Sequence, residues 1–236
     1  MTRAYFNWSG GKDSAIALWK TQQENKLKIE YLLTNINRFH DRVSMHGVRR
    51  GLLEVQAASI GIPLTTIELP EEPGMTEYEE MMMEKLDWLK KQEITTSIFG
   101  DIFLEDLKKY REEKLSAVGI KCNFPIWKKD THDLIDEFIR VGFKAVIVCV
   151  NERFLDKSFC GRAIDESFCK DVPGNVDVCG ENGEFHSFVY DGPIFKHPIS
   201  FTKGEIVYRQ YKAPITNNEE DPAKKYGFYF CDLLPK

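Results

Sequence analysis

Apolar and polar positions fall into two regimes along the chain. Up to about residue 150, apolar runs of strand length, "RAYFNW" (3–8), "IEYLLTNIN" (29–37), "PLTTIEL" (63–69), "TSIFGD" (96–101) and "KAVIVCV" (144–150), alternate with stretches of helical periodicity. Residues 47–60 set Val48, Leu52, Val55 and Ile60 near one helix face, and residues 131–141 repeat Leu134, Ile135, Phe138 and Val141. Such alternation predicts a parallel sheet covered on both faces, because the crossovers between parallel strands are helices that lie on those faces. Beyond residue 151 the pattern breaks into short β-rich pieces, "EFHSFVYDGPIF", "EIVYRQY" and "GFYFCDLL", joined by Gly, Pro and Asn turns. Residues 1–150 are therefore expected to form one α/β domain and residues 151–236 a smaller α+β lobe. "APITNNEEDPAKKYG" (213–227) is polar and proline-containing and is expected to be a mobile loop before the last strand. "MMM" (81–83), in a helix rich in Glu and Lys, is expected to serve packing.

Composition narrows the class. With 236 residues, 42% hydrophobic and 29% charged, the chain can bury a full core, and no apolar run is long enough to cross a bilayer. "MTRAYFNW" lacks the basic and then apolar segments of a cleavable signal, so a cytoplasmic location is expected. The six cysteines occur singly, without a C-x-x-C pair, which disfavours zinc and iron–sulfur sites and favours reduced, buried thiols. A net charge of −5 repels a phosphate backbone, so nucleic acid is a disfavoured partner.

The first strand runs into "SGGKDS" (9–14) before apolar residues resume at helical spacing. At a strand–turn–helix junction the N–H groups of the first helical turn are unpaired and, with the helix dipole, attract an anion. Gly10 and Gly11 let the backbone come close to a ligand, Lys12 adds a compact positive charge, and Ser9 and Ser14 offer hydroxyl donors. Asp13 either caps the helix or holds a magnesium ion bound to phosphate oxygens. The turn suits phosphate, yet it is neither a Walker A loop, since Asp13 follows the lysine, nor G-x-G-x-x-G. A glycine turn without a ligand is the plainer reading.

"SGGKDS" resembles the PP-loop of the N-type ATP pyrophosphatases. "CGRAIDES" (160–167), preceded by "FLDKSF", together with "GENGEFHSFVYDGPIF" (180–195) and "FPIWKKD" (124–130), is similar to motifs of the diphthine–ammonia ligase family, over about residues 3–197. "SMHGVRRGLLE" (44–54) and "GDIFLEDLKKYRE" (100–112) look more like its bacterial branch. The resemblance implies a Rossmann-like doubly wound parallel sheet of the adenine nucleotide α-hydrolase type, with MgATP on residues 9–14 and the acceptor between the lobes. It implies an ATP-dependent ligase that adenylates a carboxylate, releases pyrophosphate and then admits free ammonia. In archaeal and eukaryotic members the carboxylate is that of diphthine on an elongation factor. Other readings stay open: a metabolite amide ligase in corrinoid salvage, a tRNA-modifying PP-loop enzyme, or a nucleotide sensor that binds ATP without turnover. A homodimer is compatible with the sequence.

The family's E-G-G-E motif reads Glu181, Asn182, Gly183, Glu184 here, and His186 stands where a glutamate is common. Glu181 and Glu184 are candidates to orient ammonia, accept its proton or contact the acceptor; a solvated turn is the competing reading. Asp101 ends a strand at the carboxyl edge where doubly wound sheets bind ligands, and with Glu105 and Arg111 is a candidate acceptor site, against an N-cap and surface charges. Asn35 and His46, at and after the second strand, are candidates for the nucleotide base. Gly161, Arg162 and Asp165 belong to the second motif, where an arginine gives bidentate recognition of an anion; an Arg162–Asp165 pair on a helix competes. Trp127, Lys128 and Asp130 either close the pocket or enter the next helix.

Overall fold

A computed structural model describes residues 1–44, 46–71, 74–212 and 225–236. In chain order the elements are β1 (Thr2–Asn7), α1 (Lys12–Glu24), β2 (Leu27–Asn37), β3 (Arg42–Val43), α2 (Arg50–Ile60), β4 (Leu64–Leu69), α3 (Met75–Lys91) and β5 (Thr96–Ile98). Then follow α4 (Glu105–Ser116), β6 (Lys121–Asn123), α5 (Thr131–Arg140), β7 (Lys144–Asn151), α6 (Glu166–Asp171), β8 (Phe185–Asp191), β9 (Phe201–Lys212) and β10 (Lys225–Pro235). The loop expected within 213–227 falls, over residues 213–224, outside the described residues.

Five strands pair in parallel in the order β4-β2-β1-β5-β6, with β3 antiparallel against the end of β2. The chain thus winds outward from β1 to one edge and then returns to build the other, as the Rossmann-like expectation required. A topological switch point of this kind opens a crevice at the carboxyl ends of the strands. Burial alternates with period two. Ala4, Phe6, Leu32 and Ile98 join one core with α1 and α2, whereas Tyr5, Leu33 and Phe99 face the other with Leu86 and Leu89 of α3 and Leu115 of α4. Each such fully buried large side chain contributes on the order of 1.5–3 kcal/mol.

Two expectations need correction. "KAVIVCV" does not join the parallel sheet: β7 pairs antiparallel with β8 and β10, in a second sheet of order β8-β7-β10-β9. A continuous apolar run marks a strand buried on both faces but carries no sign of its partner. Helix α2 begins at Arg50 rather than 47, because Val48 accepts a hydrogen bond from Val43 N and Arg49 bridges to Arg42. Val55, placed on the apolar face from sequence, is 40% exposed.

The second sheet lies on the α1 side of the first and shares its core, from Phe6 and Leu18 through Ile147 to Phe188. Polar contacts tie the sheets at the 9–14 turn. Val189 N donates to Gly10 O at 2.9 Å, and Lys12 N donates to Ser187 Oγ at 3.1 Å. At the other end, Asp232 of β10 accepts from Arg42 at 2.8 Å and Arg49 at 2.7 Å. None of the helices in the described residues is long and apolar enough to cross a membrane.

Candidate active site

The turn after β1 is held open from several sides. Gly10 has φ +77°, and a Cβ there would lie 2.8 Å from Gln56 Oε1 and 2.9 Å from Leu53, so only glycine fits without displacement. Gln56, fully buried on α2, receives a hydrogen bond from Trp8 Nε1 at 2.9 Å and donates to Gly10 O and Val189 O. Ser14 Oγ donates to Gly11 O at 2.8 Å, and Ser9 Oγ lies 3.1 Å from Ser14 Oγ. The N-cap of α1, Gly11, has no side chain to cap the helix; of the first-turn N–H groups, that of Lys12 is taken by Ser187 Oγ. Gly100, after β5, lets this turn press in, since a Cβ there would meet Asp13 and Ser14 backbone at 3.0 Å.

A cleft of about 670 Å³ opens over this turn, within the range of small-molecule sites. Ser9, Gly11, Lys12, Asp13 and Ser14 line its floor, and Asn35 and His46 line the side above β2. Asp101, Arg111, Glu181 and His186 complete the polar wall. These residues, expected from sequence, are brought together. Gly10 shapes the loop from beneath.

Lys12 is 4% exposed and spans both oxygens of Asp13 at 2.7 and 2.8 Å. Burial works against its ammonium, but Asp13, with Cys179 and Glu181, outweighs it and holds the pKa above the ordinary value. Glu181 is pushed up to about 7, first by burial and then by the charge of Asp13. Its Oε1 accepts from Ile102 N at 2.8 Å, and its own N–H donates to Asp177 at 2.9 Å, so the carboxyl is fixed in place. Asp101 pairs with Arg111, whose guanidinium lies 4.3 Å over the Phe99 ring. No group of three or more His, Cys, Asp or Glu among the described residues forms a ready metal site. Asp13, the carboxylate of the loop itself, fits magnesium that arrives with phosphates and would exchange its contact with Lys12 for the ion, since magnesium is bound through one or two carboxylates plus substrate oxygens.

Other sequence candidates lie elsewhere. Glu184 is 1% exposed and does not line the cleft; its Oε1 accepts from Asp177 N and Asn182 Nδ2, both at 3.1 Å, which fastens the loop that presents Glu181. Glu105 points to Lys128 at 2.8 Å on the surface. Asp165 caps α6 through Phe168 N, Arg162 pairs with Asp171 rather than Asp165, and Gly161 turns at φ +82° against Cys231. Asp130 caps α5, and Trp127 packs near Phe124. Conversely, Met82 and Met83, expected as packing alone, line the far end of the cleft with Tyr78 and Tyr110. The sequence reading also missed Gln56 and Ser187. The one signal for Gln56 was a glutamine set among apolar residues in "LLEVQAA".

Fold and site together define a Rossmann-like α/β protein with a phosphate-binding PP-loop at the switch point of its parallel sheet. The family model of the diphthamide synthase N-terminal domain matches residues 2–122, and that of the diphthamide synthase C-terminal domain matches residues 130–217. The chain belongs to the diphthamide synthase family. Curated relatives include the diphthine–ammonia ligases of Bos taurus and Homo sapiens, each 28% identical over 134 residues, covering 54% of this chain and 50% of the relative. That of Danio rerio is 23% identical over 171 residues, covering 66% of this chain and 67% of the relative. The chain spans about half the length of the first two.

Proposed function

We propose that the protein is an ATP-dependent ligase that adenylates a carboxylate with release of pyrophosphate and then amidates it with ammonia. The observation that carries this reading is a single cleft that holds both the buried Lys12 at the start of α1 and the Glu181 carboxyl, fixed by Ile102 N and pushed up to about 7 by burial. Lys12 and the first-turn N–H groups stabilise the charge that grows on the departing pyrophosphate. Asp13 would hold magnesium together with the phosphates, and the ion would add neutralisation of phosphate charge. The acceptor carboxylate displaces pyrophosphate from the α phosphorus, forming an acyl adenylate. Ammonia then attacks the acyl carbon, Glu181 takes the proton that the new C–N bond releases, and AMP leaves. A carboxyl near pKa 7 is matched to that transfer at neutral pH.

Asn35 and the β2 end receive the base, while the acceptor enters past Asp101 and Arg111 from the end lined by Tyr78, Met82 and Met83. The nucleotide is assigned to the part expected over residues 1–150, and residues 151–236 close the site through Glu181 and His186. The relatives are named for diphthine as acceptor, and a protein-borne carboxylate of that kind is the first candidate here; the half-length match leaves a small metabolite carboxylate as the other. A cytoplasmic location fits free ammonium as donor. Product analysis tests the reading: ATP supplied with ammonium and cell extract should give AMP and pyrophosphate in equal amounts. ADP and phosphate as products would overturn it.

A further inference from the structure

Two imidazoles in the cleft take no part in these steps. His46, after β2, and His186, on β8, come from different sheets and stack with ring centroids 4.3 Å apart and planes 23° apart. They lie over the phosphate loop: a Cβ at Gly11 would come 3.4 Å from His46 Cε1. Nδ1 of His46 is buried and has no hydrogen-bond partner. A buried imidazole nitrogen left unpaired calls for an explanation, and a ligand in the cleft is one.

The surrounding charges are unequal. Asp13, Asp101 and Glu181 line the same cleft, but the charged group that acts on the rings is Lys12 of α1, with His186 acting on His46. Burial, then the neighbouring ring and Lys12, hold His46 well below the ordinary imidazole range against a hydrogen bond to the Ser187 backbone; burial and Lys12 push His186 down to about 4. A polyphosphate on the loop brings several negative charges against Lys12 and reverses the field at the rings. Two stacked imidazoles can then hold one proton between them, whereas two protons at this separation repel.

We propose that His46 and His186 form one phosphate-responsive unit: when a polyphosphate occupies the loop, the pair takes one proton from solvent, keeps it as an imidazolium and hydrogen-bonds through that N–H to phosphate oxygens. The inference rests on residues 9–14 as a polyphosphate site, and on neither ammonia nor the acceptor. The proton comes from water as the ligand binds and returns to water when pyrophosphate departs. The unit thereby adds a charge to the leaving group's site that the empty cleft does not carry.

Ring NMR of the full chain tests this. The five histidines, His40, His46, His132, His186 and His197, are followed at neutral pH with and without magnesium pyrophosphate, the pair being identified by His46→Phe and His186→Phe. Without the probe, both rings of the pair should report neutral imidazole. With it, the pair should report one bound proton while the signals of the other three rings are unchanged. His186→Phe should weaken pyrophosphate binding about tenfold and flatten its pH dependence. Bound pyrophosphate with both rings still neutral overturns the proposal. Failure of pyrophosphate to bind at all overturns it together with the phosphate reading of the loop, whereas a missing acceptor reaction leaves it standing. If a phenylalanine variant does not fold, His186→Gln and the parent chain's own titration decide.

Discussion

In the proposed reaction Lys12 and Glu181 carry opposite halves of the chemistry, and their variants should fail differently. Lys12→Ala removes a buried cation from the phosphate loop and leaves Asp13 without its partner. Pyrophosphate release should fall by about 10²–10³, the size seen when one preorganised stabiliser of developing charge is lost. Glu181→Gln keeps shape and hydrogen bonding but cannot accept a proton. Amide formation should fall by about 10²–10⁴ while acyl adenylate still forms, so a quench experiment should find the intermediate accumulating. In the parent chain the amidation rate should rise with pH through about 7, where Glu181 loses its proton. The stability sign is opposite: the folded pKa lies above the ordinary 4.5, so folding binds a proton that is lost as pH rises from about 4.5 to about 7. Glu181→Gln should accordingly melt no lower than the parent above pH 7. At this scale "SGGKDS" was legible because every residue type in it has a reason to be near phosphate. The role of Glu184 as a loop fastener was not, because a buried and an exposed carboxylate read alike in a sequence.

At the scale of elements, the site depends on how closely α1 approaches β5. Gly100→Ala would set a Cβ 3.0 Å from the backbone of Asp13 and Ser14, atoms with no rotamer to escape through. It should lower stability by about 1–3 kcal/mol and weaken ATP binding together, measured by urea titration and calorimetry. Gly51→Ala is the control. Inside α2, with nothing within 4 Å of a new Cβ, it should raise stability by about 0.5–1 kcal/mol and leave ATP binding unchanged. Most elements were legible from periodicity: β1, β2, β4 and α5 lie where the alternation and the 3.6-residue repeat placed them. β3 and β6 were not: β3 is two residues long, and β6 sets Cys122 between Lys121 and Asn123, with no apolar run such as the one that marks the equally short β5. The partner of β7 was hidden for another reason, since apolar continuity reports burial and not strand direction.

For the whole molecule, the question is what keeps the second sheet over the first. Besides the shared core, Asp232 of β10 clasps Arg42 and Arg49 beside β3 and α2. Burial works against its carboxylate, but the two arginines prevail and hold the pKa at about 2. A depressed acid pKa stabilises the fold above its ordinary value of 3.8, and that contribution is lost as pH falls from about 3.8 to about 2. Asp232→Asn should lower stability by about 1–3 kcal/mol at neutral pH and flatten this acid limb, seen by urea titration at a series of pH values. A change of pattern near residue 150 is visible in the sequence, but the contacts of Ser187 and Val189 with the 9–14 turn are tertiary and leave no mark in either stretch alone. The measurement to make first is ATP–pyrophosphate exchange on the purified protein without ammonia, with macromolecular and small-molecule fractions of cell extract supplied separately. Exchange stimulated by one of the fractions and lost in Lys12→Ala is the expected result, and the stimulating fraction identifies the acceptor class. ATP binding with no exchange in either fraction would contradict adenylation and leave a nucleotide-binding protein that performs no ligase chemistry.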